Sequence, residues 1–299
     1  MAGDGGDSGL MTKVALLGAG LLGSAIGHRL LTVGCSLRVW NRDPSRCEPL
    51  MSAGAQVVAD PAEAAQGCAT VISVLRDGPI TADVVARIGP LSGACVMPMG
   101  TMGISESVAL AAQVQGQGGS YLEAPVLGSR PEALKGRLLV MAGGDEAVFA
   151  RQLPLLRGLA SEPRLMGAVG TGAAAKLALN QLIASLTHGY SLALRLVQAS
   201  GLDVERFMEV LRPSALYAPT VDKKLTRMLE HHYADPNFST SLLRKDLNLF
   251  LREASLAGVN VEALEGLADL LAQAEGTNLD AADYSALHEL TAAERTSIS

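Results

Sequence analysis

Short apolar runs and helix-period stretches take turns along the first half of the chain. Residues 13–17, 36–40, 56–58, 69–75, 94–99, 121–124 and 138–142 read as strands. Stretches with apolar residues every three to four positions lie between them, at 24–33, 61–66, 79–88, 105–117 and 145–159. This alternation predicts a doubly wound, mostly parallel α/β sheet, because parallel neighbours must be joined by a crossover. Beyond residue 170 the strand pattern stops. Residues 171–200 form one helical run stopped by Gly201, followed by helical stretches at 204–211, 220–230, 240–257, 261–274 and 282–290. A helix of about thirty residues spans roughly 45 Å, enough to leave the first domain and form the spine of a second. The expected organisation is a disordered tail at 1–11, an α/β domain at 12–168 and an all-helical domain at 169–299. The junction falls in the small-residue stretch 167–170.

Composition narrows the functional classes. The 299 residues are 48% hydrophobic, which argues for buried cores over disorder, and the net charge of −6 speaks against a nucleic-acid surface. Cys35, Cys47, Cys68 and Cys95 form no CxxC pair and no metal-ligand spacing, so they read as small buried hydrophobes kept reduced. No apolar run reaches membrane-spanning length. The Gly- and Asp-rich start has neither a basic nor an apolar signal region, so a cytoplasmic protein is expected.

The first strand runs into Gly18-Ala19-Gly20-Leu21-Leu22-Gly23 and then into a helix. A GxGxxG between a strand and a helix is the dinucleotide fingerprint of the Rossmann fold: a tight turn, a close approach to the pyrophosphate and close helix–strand packing. NAD-binding proteins put an acidic residue at the end of the second strand. Here Asn41 stands there, followed by Arg42. A guanidinium suits a ribose 2′-phosphate, and Asp43 before Pro44 reads as the cap of a short helix, so NADP(H) is the expected cofactor. Leu75, at the end of the 69–75 strand, is assigned with Gly18, Ala19, Gly20, Leu21, Leu22, Asn41 and Arg42 to the cofactor. Arg76, Thr101 and Gly128 follow strand ends, so their loops should face the cofactor crevice.

Lys176 and Asn180 sit one turn apart on a run otherwise built from small and apolar residues. A buried ammonium is costly without a partner, so a cation and an amide on one greasy face suggest a reactive pair. A Lys snorkelling to solvent beside a satisfied Asn is the plain alternative. Leu177, Leu179, Leu182, Ile183 and Leu186 should supply that helix's buried surface. His188 reads as a packed core residue and His231-His232 as a solvated loop, since no further ligands at metal spacing accompany them.

Five segments in order resemble one family: Gly18–Gly23; Val39-Trp40-Asn41-Arg42; Glu123-Ala124-Pro125-Val126-Leu127-Gly128-Ser129 with Ala133 and Gly136; Gly170-Thr171-Gly172 through Lys176 and Asn180; and Lys245-Asp246-Leu247. Together they resemble the β-hydroxyacid dehydrogenases (3-hydroxyisobutyrate dehydrogenase-like), in particular the glyoxylate and succinic semialdehyde reductase branch. The resemblance implies a Rossmann domain, an all-α domain and an active-site cleft between them. It also implies roles: Lys176 as general acid toward a carbonyl, Asn180 holding substrate, and Thr101 on the nicotinamide side. Lys245 and Asp246 would close over cofactor and substrate. Leu127, Gly128 and Ser129 fall where the family cradles a substrate carboxylate. A homodimer or homotetramer is expected, with a small carbonyl substrate and no metal.

Two positions depart from the family. Leu127 replaces a serine, and Gly100 precedes Thr101 where a serine is usual. Each lost charged hydrogen bond weakens carboxylate binding by about 1.5–3 kcal/mol, so an apolar or bulkier carbonyl is expected over glyoxylate. Two alternatives share the architecture: imine reductases, which usually carry Asp or Tyr at the Lys176 position, and a binding module that has lost turnover.

Overall fold

The structure, a computed structural model, describes residues 12–292. The predicted tail at 1–11 lies outside them. By contacts the chain separates into two compact units, one through Lys176 and one from Leu177 onward.

In chain order the first unit contains β1 (Lys13–Leu17), α1 (Leu21–Thr32), β2 (Ser36–Trp40), a 3₁₀ turn (Pro44–Cys47), α2 (Glu48–Ser52) and β3 (Gln56–Val57). It continues with α3 (Pro61–Ala65), β4 (Thr70–Ser73), α4 (Gly78–Ile88), β5 (Cys95–Pro98), α5 (Ile104–Gly116) and β6 (Ser120–Glu123). Then come β7 (Val126–Leu127), α6 (Arg130–Leu134), β8 (Leu139–Gly144), α7 (Glu146–Leu159) and β9 (Arg164–Gly167). The sheet order is β3-β2-β1-β4-β5-β6-β8-β7, with β9 on β8. Pairing is parallel from β3 through β6 and between β8 and β9, and antiparallel for β6–β8 and β7–β8. The strand order reverses between β1 and β4, which puts a ligand crevice beyond their carboxyl ends.

Alternate residues of one strand feed opposite layers. Val14 and Leu16 of β1 join Ile26 and Leu30 of α1 on one face, whereas Ala15 and Leu17 join Ala64, Val84 and Val85 of α3 and α4 on the other. Burial on both faces is why the strand reads as a continuous apolar run. Cys47, Cys68 and Cys95 are buried and Cys35 half-buried, all as free thiols. Burial pushes the Cys95 thiol up to about 11, which leaves it unreactive at neutral pH.

α8 (Thr171–Ala199) begins in the first unit and runs on into the second. The second unit also holds α9 (Val204–Leu211), α10 (Thr220–Leu229), α11 (Thr240–Leu256), α12 (Glu262–Ala272), a 3₁₀ turn (Tyr284–Ala286) and α13 (Leu287–Leu290). Its two apolar clusters centre on Ala184, Leu243 and Leu271, and on Leu194, Met208 and Leu225. The helix expected over 282–290 is instead a 3₁₀ turn and a single α-turn. Asp283 accepts from the Ser285 N–H and hydroxyl and so tightens the start. The buried surface expected for α8 needs correction too. Leu177 is buried, but Leu182 and Leu186 are 50% and 38% exposed, because they lie on the face of α8 turned away from both clusters. Among the described residues, no helix is long and apolar enough to cross a membrane.

Candidate active site

The turn after β1 depends on Gly18. Its φ is +106°, and a Cβ there would lie 2.4 Å from the Val74 carbonyl oxygen. The Gly18 N–H donates to the Trp40 carbonyl at 2.9 Å, and the Ala19 N–H donates to Asn41 Oδ1 at 3.0 Å. Asn41 Nδ2 in turn donates to the Asp43 carbonyl at 2.8 Å. Asn41 therefore clasps the glycine loop to the turn after β2. Asp43 caps the 3₁₀ turn that starts at Pro44, accepting from the Ser45 N–H at 3.1 Å and the Ser45 hydroxyl at 2.7 Å. Those bonds hold its carboxyl below the usual range. Arg42 is exposed beside it.

α1 starts at Leu21 with Gly20 as N-cap, without a side-chain cap and without an acidic residue in its first turn. A Cβ on Gly20 would meet nothing within 4 Å. Uncapped N–H groups at a helix N-terminus, reached over open space, fit a pyrophosphate. Leu21 is exposed at this end and Leu22 half-buried.

The loops after β1, β4 and β5 press together. Leu75 Cδ2 lies 3.0 Å from where a Gly18 Cβ would stand, and the Leu75 carbonyl oxygen 2.4 Å from where a Gly100 Cβ would stand. A serine at position 100 has no room on this backbone, so the missing hydroxyl is a packing requirement of the Leu75 loop. Thr101 is half-buried and Met102 is buried. Arg76 is exposed after β4.

Lys176, on the second turn of α8, is half-buried. With Pro98, Gly100, Met102, Glu123, Pro125 and Ala173 it lines a cavity of about 10 Å³, room for roughly one water. The amine-bearing residue and the carboxyl end of β5 thus meet around one small void. Leu127 is half-buried, and Gly128 is exposed with φ +128°. Ser129 starts α6, and its hydroxyl and N–H donate to Glu132 Oε2 at 2.7 and 2.8 Å. Its proton is therefore committed to a neighbouring carboxylate.

In the second unit, Asn180 and Asp246 are each 2% exposed. Asn180 Nδ2 donates to Asp246 Oδ2 at 2.5 Å, and Asp246 Oδ1 lies 2.6 Å from Lys245 Nζ. With the amide turned this way, Asn180 Oδ1 has no hydrogen-bond partner and remains a buried acceptor. Thr187 donates to the Ile183 carbonyl at 2.7 Å, His188 is half-buried, and His231 and His232 are exposed.

The sequence reading missed Glu123, which is 1% exposed at the end of β6 and faces the start of α8. Its signal was present: a carboxylate inside the apolar run Tyr121-Leu122-Glu123-Ala124 must have dedicated partners.

Comparison with known proteins covers both units. Residues 13–170 match the model of the NAD binding domain of 6-phosphogluconate dehydrogenase. Residues 170–291 match that of the NAD-binding region of NADP-dependent 3-hydroxyisobutyrate dehydrogenase. Glyoxylate/succinic semialdehyde reductase 1 of Arabidopsis thaliana is 30% identical over 93% of this chain and 97% of its own length. The chloroplastic reductase 2 of that plant is 29% identical over 95% of this chain and 80% of its own. The solved 3-hydroxyisobutyrate dehydrogenase of Mycobacterium tuberculosis with L-serine superimposes with a TM-score of 0.84 at 25% identity, covering 95% of this chain and all of that one.

Proposed function

The chain belongs to the β-hydroxyacid dehydrogenase family, and from that premise we propose that it is an NADPH-dependent reductase that adds hydride to a small carbonyl compound, with Lys176 as general acid. As a nicotinamide-dependent oxidoreductase it acts on the CH–OH/C=O couple. The substrate is an aldehyde, a ketone or a 2- or 3-oxo acid. The observation that carries this reading is Lys176 beside Gly100 and Pro98, at the carboxyl end of β5 in the nucleotide-binding unit.

The residues divide the work as follows. The turn Gly18–Gly20 and the N-terminus of α1, with Leu21 and Leu22, hold the pyrophosphate. Asn41 keeps that turn in shape, Arg42 meets the 2′-phosphate, and Leu75 and Thr101 flank the cofactor; the family resemblance gives Lys245 a part in cofactor binding as well. The bound dihydronicotinamide supplies the hydride. As the carbonyl carbon gains it, negative charge gathers on the oxygen. The Lys176 ammonium stabilises that charge and delivers the proton that completes the hydroxyl. An arginine would stabilise but not deliver, since its pKa stays above about 12. Asn180, oriented by Asp246, offers its Oδ1 to a donor on the substrate.

On the substrate side stand Leu127, Gly128 and Ser129. A leucine and a serine whose proton is already given to Glu132 make a poor carboxylate cradle, which favours bulkier or more apolar carbonyls than glyoxylate. The apolar face that α8 leaves exposed supports the reading of a homodimer or homotetramer. A reducing compartment such as the cytoplasm suits the four free thiols.

The test is a panel of aldehydes, ketones, oxo acids and imines run with NADPH and NADH in parallel, on the parent and on Lys176→Ala. We expect NADPH-dependent carbonyl reduction, larger ketones ahead of glyoxylate, and a loss on the order of 10²–10⁴ in kcat for the variant with cofactor binding retained. An equally active Lys176→Ala removes the general-acid assignment. A clear preference for imines moves the enzyme to C=N chemistry.

A further inference from the structure

We propose that Glu123 is a positioning residue: its buried carboxylate fixes the start of α8 and thereby sets where the Lys176 amine stands for proton transfer. The inference rests on the general-acid reading of Lys176 and adds a residue to which neither the family comparison nor the sequence motifs give a part.

A helix start leaves four N–H groups without intrahelical partners, and the N-cap side chain usually serves one of them. At the start of α8 the preceding residue is Gly170, which has no side chain to offer. Glu123 Oε1 takes the place of a cap from 47 to 50 positions away in sequence. It accepts from the Gly170 N–H at 2.8 Å, the Gly172 N–H at 2.7 Å and the Ala173 N–H at 3.2 Å. The other oxygen, Oε2, accepts from the Ser107 hydroxyl of α5, and Ser107 Oγ lies 2.7 Å from the Tyr121 hydroxyl. One carboxylate therefore joins β6, α5 and the first turn of α8.

The surroundings are shaped around it. A Cβ on Gly143 would lie 2.2 Å from Glu123 Oε1, and one on Gly172 3.1 Å from it. Both positions leave room for the oxygen. Negative charge at a helix N-terminus also matches the helix dipole. Lys176 is the third residue beyond Ala173, and Ala173, Lys176 and Glu123 line the same cavity. A turn held at three N–H groups gives the amine a defined root, and displacing a catalytic group by about 1 Å can cost roughly 100-fold in rate. Glu123 acts here through Lys176 and is not asked to exchange a proton with substrate.

The experiment compares Glu123→Gln, Glu123→Asp, Ser107→Ala and Lys176→Ala in the full chain. The readouts are NADPH dissociation constant, KM, kcat and the primary deuterium isotope effect with NADPH labelled at the transferred position. Glu123→Gln keeps the side-chain size and removes the charge. Its kcat should fall on the order of 10–100-fold while the dissociation constant and KM stay within about threefold, and the isotope effect should rise as the chemical step becomes limiting. Glu123→Asp, which restores the charge, should recover most of the loss. If Glu123→Gln does not fold, Ser107→Ala decides: a kcat lower by at least threefold at unchanged NADPH affinity supports the role, and an unchanged kcat overturns it. A folded Glu123→Gln with kcat within twofold of the parent overturns the proposal, as does a loss matched by an equal loss of NADPH binding. Full activity in Lys176→Ala would refute the underlying mechanism. An inactive Lys176→Ala beside an unimpaired Glu123→Gln would refute only the positioning.

Discussion

At the scale of the residue, Asn41 illustrates how a side chain's neighbours decide its part. Its position at the end of β2 points to the cofactor, and in the fold its oxygen accepts from the Ala19 N–H while its nitrogen donates to the Asp43 carbonyl. Asp43 is likewise occupied as a cap. On the NADPH reading proposed above, discrimination between the two nicotinamide dinucleotides rests on Arg42, which is exposed. Arg42→Ala should raise KM for NADPH by about 10–100-fold, matching the roughly 1.5–3 kcal/mol of a charged hydrogen bond, and leave KM for NADH within twofold. Equal changes for both cofactors in steady-state assays would exclude that role. Spacing made the places of Gly18 and Gly20 in the turn, and of Lys176 and Asn180 on one helix, legible, because strand–turn–helix geometry and helical periodicity are local. Glu123 and the Ser129–Glu132 pairing were not, since a hydrogen-bond partner 47 residues away, or the direction in which a hydroxyl donates, leaves no mark in spacing.

At the scale of the element, α8 matched its expected bounds to within one residue, but its burial did not follow the expected pattern. Leu182, Leu186, Leu192 and Leu196 are 50%, 38%, 47% and 72% exposed, with Ala178 before them and Gly189 among them on the same side. Period 3.6 shows that a helix has an apolar face, not whether that face meets its own chain or another. We expect Leu196→Glu to shift the protein toward monomer in light scattering behind size exclusion, with secondary structure by circular dichroism unchanged. A monomeric parent, or an oligomer indifferent to the charge, would remove the subunit contact from this face. The elements absent from the sequence reading are the short ones. β7 spans two residues, β9 four and α6 five, too few for a period to repeat. They exist because β8 offers them a partner or a connection.

At the scale of the whole molecule, the division into a doubly wound sheet and a helical bundle was readable from the place where one periodicity gives way to the other. Its response to acid was not. His288 is fully buried in the helical unit, with Nδ1 2.7 Å from the Ser191 hydroxyl. Burial first, and then the Arg195 charge, hold its imidazole down at about 4. The unfolded chain protonates this group near pH 6.5. Between those values the unfolded state binds more protons, so the stability present above about 6.5 declines as the pH falls toward 4. The loss is at most about 3 kcal/mol. Urea midpoints taken at pH 7 and 4.5 should therefore separate more for the parent than for His288→Gln. Identical separations would assign the acid sensitivity to other groups.

The contact between Leu75 and Gly100 bears on how readily this enzyme's repertoire can change. Any larger residue at position 100 must displace the Leu75 backbone, and the Leu75 side chain borders Gly18 at the cofactor turn. An adaptive walk toward small acidic substrates through that position would erode nucleotide retention before improving selectivity. Position 127, half-buried at the end of β7, is the more accessible first step, so the order in which substitutions can accumulate is already constrained by the packing of three loops.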